Sequence, residues 1–242
     1  MTKTVLITGA AKRVGKAMAL HLAAQGWNVA IHYNSSEKEA FLLRDELISS
    51  FSDQQFELFK ADLNNPVEVE NLIPQILHVM DNIDLLINNA SVFDRGDLSN
   101  TDTDLFDRQM NVNFRAPFIL TREYARLIKK GLIINFVDTR ITINNSSFAA
   151  YTLSKKALWE MTKMAALELG PTIRVNAIAP GLTLTPEEKG EDYLKKLAKT
   201  IAMKRPGGLY PILKSLNYIL SNDYMTGQLL FCDGGENLGP TK

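Results

Sequence analysis

Short apolar runs alternate along the chain with longer segments in which apolar residues recur every three or four positions. The first run, Thr4–Ile7, leads into Thr8-Gly9 and then into a helically spaced pattern that ends near Gly26. A second apolar run, Trp27–Tyr33, follows directly. Short continuous apolar runs are typical of buried parallel strands, and spacing of three to four is typical of amphipathic helices. The pattern therefore predicts a strand–helix–strand unit at the start of the chain.

The same alternation continues to the end of the sequence. Five further runs predict strands, at Phe56–Asp62, Ile83–Ile87, Leu132–Val137, Ile173–Ile178 and Gln228–Cys232. The segments between them predict helices, at Glu37–Ser49, Pro66–Met80, Leu105–Lys130 (one or two helices), Ala149–Leu169, and two more after a polar loop at Leu182–Gly190. Alternation without a break in composition predicts a single α/β domain over residues 1–242, a doubly wound, parallel seven-stranded sheet with helices on both faces.

The turn after the first predicted strand contains two glycines and two cations, in the run Gly9-Ala10-Ala11-Lys12-Arg13-Val14-Gly15. In a strand–turn–helix–strand unit, such a turn holds a pyrophosphate at the helix N-terminus. The candidate cofactor contacts in this turn are Gly9, Lys12, Arg13, Val14 and Gly15. An ordinary helix-capping turn is the alternative interpretation.

The end of the second predicted strand indicates which nicotinamide cofactor is used. An NAD enzyme usually has Asp or Glu about 20 residues beyond the glycine turn, where it binds the ribose 2′-hydroxyl. Here the chain reads Asn34-Ser35-Ser36, and the first acid is Glu37. Small hydrogen-bonding side chains close to Lys12 and Arg13 suit a 2′-phosphate, so we predict NADPH, bound in part by Asn34, Ser35 and Ser36. Alternatively, these three residues only cap the following helix.

A tyrosine, a lysine and an aspartate make a candidate catalytic group. Tyr151 and Lys155 are one helical turn apart and therefore on one face of the predicted helix. A fixed ammonium favours the phenolate, so we expect the pKa of Tyr151 to fall from near 10 toward neutrality, as suits a general acid. Asp138 follows a predicted strand and is expected at its carboxyl end, where open α/β sheets form their sites. A solvated helix face is the alternative interpretation of the Tyr151–Lys155 pair.

Composition narrows the choice of partners. Lys plus Arg and Asp plus Glu both number 27, a balance that argues against nucleic acid or an anionic membrane. Cys232 is the only cysteine, and the three histidines show no ligand spacing, so neither a disulfide nor a metal is expected. The chain shows no signal peptide and no apolar run near the roughly 20 residues that span a bilayer. We therefore expect a cytoplasmic protein with a small-molecule substrate.

Six motifs, taken together and in order, resemble the short-chain dehydrogenase/reductase family. They are Thr8-Gly9 with Gly15, Asp62-Leu63, Asn88-Asn89-Ala90, Asn113, Tyr151-x-x-x-Lys155 and Pro180-Gly181. The resemblance implies a Rossmann-type fold, a nicotinamide cofactor and usually a homotetramer. It also implies a catalytic set of Asp138, Tyr151, Lys155 and Asn113. Further cofactor contacts implied by it are Asp62, Leu63, Asn89, Ala90, Ser91, Tyr151, Lys155, Pro180 and Gly181.

Two departures from the common family pattern resemble the pteridine reductase branch. Arg13 replaces the middle glycine of the turn, and Asp138 replaces the catalytic serine. The run Asn89-Ala90-Ser91-Val92-Phe93 is also similar to that branch. The resemblance implies reduction of a pterin, a dihydropterin or dihydrofolate. It also implies a substrate site formed by Arg13, Ser91, Phe93, Asp138 and Tyr151.

The same resemblance suggests a role for each of these side chains. Phe93 would stack on the planar pterin. Arg13 would reach the cofactor phosphate and the pterin edge, and Lys155 would hold the nicotinamide ribose. Asp138 and Tyr151 would supply or relay a proton to the nitrogen of the reduced C=N bond.

Other interpretations of these residues remain open. Phe93 is alternatively loop packing, Arg13 a solvated cation, Asp138 a loop cap and Asn113 a plain buried polar residue. For the whole chain, the alternatives are a carbonyl reductase acting on a 3-oxoacyl or sugar ketone, and a catalytically silent binding module. The segment Leu182–Thr200 is expected to cover the substrate, because loops after strand ends commonly do so.

Overall fold

The computed structural model describes residues 2–144, 146–185, 189–190 and 192–240. The strands are β1 (Thr4–Ile7), β2 (Asn28–Tyr33), β3 (Phe56–Lys60), β4 (Leu85–Asn88), β5 (Gly131–Phe136), β6 (Ile173–Pro180) and β7 (Leu229–Cys232). The α-helices are α1 (Arg13–Ala23), α2 (Glu37–Ser50), α3 (Pro66–Val79), α4 (Thr103–Met110), α5 (Ala116–Leu127), α6 (Ala149–Leu169), α7 (Asp192–Ala198) and α8 (Tyr210–Ser221). A π-helix at Asn111–Arg115 joins α4 to α5, and 3₁₀ turns lie at Thr139–Thr142 and Glu236–Leu238.

All seven strands are parallel, in the order β3-β2-β1-β4-β5-β6-β7. Strand β1 lies between β2 and β4, with Ile7 paired to Ile31 on one side and to Ile87 on the other. This is the point at which the strand order reverses, and open sheets bind ligands in the crevice outside such a switch point. The predicted doubly wound, seven-stranded sheet is confirmed.

Two apolar layers cover the sheet. One face packs against α1, α2 and α8, with Met18, Leu43 and Leu216 fully buried. The other face packs against α3, α5 and α6, with Leu72 and Tyr124 fully buried. Because both faces are covered, the central strands read as continuous apolar runs, which is the signal that predicted them.

Several predicted boundaries shift because hydrogen bonds, rather than hydrophobicity, end the elements. The third strand ends at Lys60, and β4 begins at Leu85 because the Asp84 carboxylate accepts the Thr4 N–H at 2.9 Å. Strand β6 continues to Pro180, two residues beyond the predicted end, because it stays in register with β7 as far as Cys232. The uncertain region after Leu105 consists of two helices, and the first begins at Thr103, where the Asp102 carboxylate accepts the Leu105 N–H at 2.8 Å.

No helix among the described residues is both long and apolar enough to cross a membrane.

Candidate active site

The glycine turn is held against the loop after β4 by close backbone packing. Gly9 has φ of +63°, and a Cβ there would lie 3.1 Å from the Cα of Ala90. A Cβ on Gly15 would collide with the carbonyl oxygen of Gly9. Asn89 Nδ2 donates to the carbonyls of Thr8 and Gly9 at 2.9 and 3.2 Å. Glycine is therefore required at both positions, and the turn is fixed to β4 at the sheet's carboxyl edge.

Arg13 has φ of +54°, in the left-handed region that favours glycine. The residue thus keeps the backbone conformation of the glycine that the family pattern places there. Its guanidinium donates to the carbonyls of Thr185 and Leu184 at 3.1 and 3.3 Å. Arg13 consequently links the glycine turn to the loop after β6, and its side chain lines two adjoining clefts.

The first cleft, of about 530 Å³, follows the switch point of the sheet. It brings together the predicted cofactor residues from the loops after β1, β2, β3 and β4, namely Gly9, Lys12, Arg13, Val14, Gly15, Asn34, Ser35, Ser36, Asp62, Leu63, Asn89, Ala90 and Ser91. The remaining four predicted contacts, Tyr151, Lys155, Pro180 and Gly181, line a second cleft of about 410 Å³. The sequence therefore located the lining of both clefts.

The polar run after β2 does more than cap a helix. Ser36 occupies the N-cap position of α2, yet its side chain makes no capping hydrogen bond to the described residues. Asn34 Nδ2 donates instead to Asp62 Oδ1 at 3.1 Å, across the cleft mouth. Lys12 pairs with Glu39 at 2.8 Å, with both side chains about two-fifths exposed. Ser36 is therefore the N-cap residue of α2 by position and through its carbonyl, but not through its side chain.

His32 holds the glycine turn from below, and the sequence had suggested no such role for it. The imidazole is buried, its Nδ1 lies 3.0 Å from the Gly9 amide nitrogen, and its Nε2 lies 3.1 Å from the Ala61 carbonyl oxygen. Since the Gly9 N–H can only donate, Nδ1 accepts and the neutral ring carries its proton on Nε2. Burial lowers the pKa of His32 to about 4. The position of His32 near the end of β2, beside the glycine turn, is the only feature of the sequence that could have indicated this role.

Tyr151 and Asp138 form the central pair of the second cleft. The Tyr151 hydroxyl donates to Asp138 Oδ2 at 2.7 Å, and Asp138 Oδ1 accepts the Arg140 N–H at 2.8 Å. One carboxylate oxygen thus caps the 3₁₀ turn and the other contacts the phenol. The loop-cap interpretation of Asp138 is confirmed, and the same side chain lies beside Tyr151, where the candidate catalytic group was expected.

The expected fall in the pKa of Tyr151 is wrong in direction. Burial, and then the adjacent Asp138 carboxylate, raise the pKa of Tyr151 well above 10. Lys155 Nζ lies 5.9 Å from the centre of the phenol ring and donates to the Phe136 carbonyl at 2.8 Å. Burial lowers the pKa of Lys155 to about 8. The closer negative charge opposes the ammonium's effect, so Tyr151 keeps its proton at neutral pH.

Asn113 lies within the π-helix and is completely buried. Its Oδ1 accepts from Ser91 Oγ and from the Val92 N–H at 3.0 and 2.9 Å. Its Nδ2 is within hydrogen-bonding distance of the Val92 carbonyl, Gln109 Oε1 and Ser154 Oγ. The helix is distorted at Asn113, and the side chain joins α6 to the loop that carries Ser91. Gln109 and Ser154 were missed because neither belongs to a recognisable motif.

Phe93 is half exposed and belongs to an aromatic group beside Tyr151. Its ring is stacked on Phe148 with centroids 4.4 Å apart and an interplanar angle of 8°. It meets Tyr151 edge to face, with centroids 4.6 Å apart. Backbone pairing between Gly96 and the residues on either side of Phe148 holds the two loops together. Phe148, which the sequence did not single out, covers one face of Phe93, so only the rest of that ring is open to a planar ligand.

The described flanks of the segment 182–200 border the second cleft, where the prediction placed them. Leu182, Thr183 and Leu184 line it on one side, and Tyr193, Leu194 and Leu197 line it on the other. Residues 186–188 and 191 of that segment lie outside the described residues. Within the described part of the chain, no group of three or more His, Cys, Asp or Glu side chains is arranged to hold a metal ion.

The parallel sheet, the glycine turn and the Tyr151–Lys155 pair together define an oxidoreductase of the Rossmann class. A family model described as enoyl-(acyl carrier protein) reductase matches residues 9–237. An oxidoreductase of Thermotoga maritima is 31% identical, with 96% of each chain covered. The chain belongs to the short-chain dehydrogenase/reductase family, as its motifs predicted.

Two further similarities point toward different substrates. The structure of FolM, alternative dihydrofolate reductase 1 from Brucella canis complexed with NADP, superposes with a TM-score of 0.93 and 34% identity, covering 99% of this chain and 96% of that one. A 3-oxoacyl-(acyl-carrier-protein) reductase of Staphylococcus epidermidis is 28% identical over 97% of this chain and 99% of its own length.

Proposed function

We propose that the protein is an NADPH-dependent reductase that transfers a hydride to the C=N bond of a pterin, a dihydropterin or dihydrofolate. The observation that carries the proposal is the 2.7 Å hydrogen bond between Tyr151 and Asp138, a carboxylate in the place of the usual serine. Phe93 beside this pair and the likeness to the Brucella canis protein add support.

The first cleft fits a phosphorylated dinucleotide. Gly15 lies in the first turn of α1, where N–H groups that have no partner within the helix favour a phosphate. No acid occupies the end of β2, and Asn34, Ser35 and Ser36 line the cleft there together with Lys12. Ser36 is not engaged in a side-chain cap, so its hydroxyl is free to meet a 2′-phosphate. The NAD-type carboxylate that would repel this phosphate is absent from that position.

The second cleft supplies the proton for the reaction. When bound, NADPH supplies the hydride to the carbon of the C=N bond. The Tyr151 hydroxyl gives its proton to the nitrogen, and Asp138 takes up a proton from solvent and passes it to Tyr151. Lys155, held by the Phe136 carbonyl, has two further N–H donors for the nicotinamide ribose. Asn113 fixes Ser91 at the junction of the two clefts.

A carbonyl reductase acting on a 3-oxoacyl or sugar ketone is the second candidate. The similarity to the Staphylococcus epidermidis protein and the description of the family model favour it. In that case the Tyr151 hydroxyl protonates a ketone oxygen instead of a nitrogen. Phe93 then has no planar ring to recognise, and its stacking serves only the loop.

The deciding experiment is NADPH oxidation with dihydrobiopterin, dihydromonapterin, dihydrofolate and a 3-oxoacyl thioester side by side. Turnover of at least one pterin or folate, well above that of the thioester, is the expected result. Turnover of the thioester alone replaces the proposal with the ketone reductase. Tyr151→Phe is the control that identifies background activity.

We also propose that the protein is a cytoplasmic homotetramer, and the exposed faces of α5 and α6 support the assembly. A groove between the two helices is lined mainly by apolar side chains, including Phe114, Phe118 and Met161. Phe118, Met164 and Leu167 are 49, 68 and 87% exposed in the single chain. A contiguous apolar surface of this kind is typical of a protein–protein interface.

A further inference from the structure

Arg140 lines the second cleft beside the stacked rings of Phe93 and Phe148. It is two residues beyond Asp138, in the 3₁₀ turn that the Asp138 carboxylate caps. Its guanidinium carbon is 4.7 Å from the ring centre of Phe148 and 5.4 Å from that of Phe93. Cation–π contacts with two parallel rings restrict where this charge can point, because the rings are themselves held by the Gly96 pairing.

The donors of this guanidinium are not used within the described part of the chain. Its N–H groups make no hydrogen bond and no ion pair with the described residues. Arg13, in the same cleft, differs because its guanidinium donates two hydrogen bonds to backbone carbonyls. The charge of Arg140 opposes the rise in the pKa of the Glu236 carboxyl, although the two side chains do not form an ion pair. Arg140 also opposes the rise in the pKa of Tyr151, so its charge acts on the reaction site.

We infer that Arg140 and the Phe93–Phe148 stack form a subsite for a carboxylate on the substrate's side chain. A guanidinium is a planar fork of donors that matches a carboxylate with two parallel hydrogen bonds. Phe93 contacts both Tyr151 and Phe148, so the subsite adjoins the Tyr151–Asp138 pair on the side of Phe93. This inference rests on the proposed function for the pterin head group.

Among the proposed substrates, this chemistry selects dihydrofolate. Its p-aminobenzoylglutamate tail carries two carboxylates and an aryl ring, and both find partners at the subsite. The side chains of dihydromonapterin and dihydrobiopterin are uncharged and leave the guanidinium unpaired. The enzyme should therefore prefer the folate substrate, by interactions that lie away from the reacting bond.

The test compares kcat/KM for dihydrofolate and dihydromonapterin in Arg140→Gln and in Arg95→Gln. Arg95 is exposed, lies near Phe93 in sequence and does not line the cleft, so it controls for lost net charge. The ratio of the two values should fall about tenfold or more in Arg140→Gln, mainly through KM for dihydrofolate, and stay constant in Arg95→Gln. Arg140→Lys should fall between, since a lysine keeps the charge but not the fork. An equal loss on both substrates, or no change in the ratio, overturns the inference.

A binding measurement separates this inference from the proposed function. Calorimetry with p-aminobenzoylglutamate and the NADPH-loaded protein does not depend on turnover. The wild type should bind this fragment at least tenfold more tightly than Arg140→Gln. If no pterin or folate is reduced but this difference appears, the proposed reaction fails and the carboxylate subsite stands. If the wild type does not bind the fragment, the subsite is wrong whatever the enzyme reduces.

Discussion

Asp138 Oδ2 accepts a hydrogen bond of 2.7 Å from the Tyr151 hydroxyl, although the two residues are thirteen positions apart in the sequence. Burial of the phenol, and then this carboxylate, raise the pKa of Tyr151 well above 10, and the second carboxylate oxygen accepts the Arg140 N–H. Tyr151 is thus a protonated phenol that can donate its proton, rather than a phenolate. The reaction proposed above requires a donor in this state.

Asp138→Asn should lower kcat by about a hundredfold, because an amide cannot take up and pass on a proton. The amide keeps an oxygen for the Arg140 N–H, so the 3₁₀ turn should persist. The pKa of Tyr151 should move back toward 10, since the adjacent negative charge is lost. Stopped-flow single turnovers across a pH series measure both effects. Asp53→Asn, on an exposed residue, is the control; full activity in Asp138→Asn would remove Asp138 from the proton path.

Arg13→Gly should weaken NADPH binding with little effect on stability. Glycine removes the strain of the left-handed backbone, which stabilises the fold, but it also makes the unfolded chain more flexible, which destabilises the fold. Each effect changes the free energy of unfolding by about 1 kcal/mol, so the two offset each other. The lost guanidinium should raise KM for NADPH about tenfold. Lys204 has a similar φ of 53° and lies outside both clefts, so Lys204→Gly is the matched control. An unchanged KM in Arg13→Gly would show that Arg13 serves only the loop after β6.

Phe93→Ala should separate the two candidate reactions. For a pterin, losing a stacking ring should lower kcat/KM by about tenfold or more, since an aromatic contact adds 0.5–1.5 kcal/mol, roughly, beyond the area it buries. A ketone should be reduced at a rate within about twofold of the wild type, because it needs no flat surface. Steady-state assays with dihydrobiopterin and a 3-oxoacyl thioester, with Phe41→Ala on α2 as control, decide between the two. Equal losses on both substrates would indicate that Phe93 merely positions Tyr151.

His32 should make the fold sensitive to acid. Its pKa is about 4 in the folded chain and near 6.5 when unfolded, so the unfolded state binds the extra proton between these values. The stabilisation is therefore complete above pH 6.5 and is lost as pH falls toward 4, by about 3 kcal/mol. Denaturant titrations at pH 7.5 and 5 measure this change. The slope should vanish in His32→Gln and survive in His78→Gln, on an exposed histidine. A slope that survives in His32→Gln would assign it to other groups.

Met164→Asp should disrupt the proposed tetramer without unfolding the chain. Burying an unpaired carboxylate in a subunit interface is costly, whereas an exposed position tolerates it in the monomer. Sedimentation velocity should show a smaller species for this variant and an unchanged one for Leu42→Asp, which alters an exposed leucine on α2. A wild type that already sediments as a monomer would end the assembly proposal.

The sequence by itself determined the order of elements, the parallel sheet and the position of the predicted cofactor residues along both clefts. Each follows from local periodicity, or from strand ends that a doubly wound sheet must bring to one edge. The spacing of Tyr151 and Lys155 likewise required only helical geometry. The cofactor-side residues Gly9 and Asn34 could be predicted from the sequence for the same reason, since each lies within two residues of a strand end.

Only the tertiary structure decided the electrostatics and the contacts between distant loops. The direction of the pKa change at Tyr151 depended first on the burial of its hydroxyl and then on the adjacent Asp138 carboxylate, and no spacing in the chain determines either. Phe148 lies at the site because its loop pairs with Gly96. Arg140 lies there because a 3₁₀ turn follows Asp138. Such contacts depend on how separate segments pack, and hydrophobic periodicity carries no information about them.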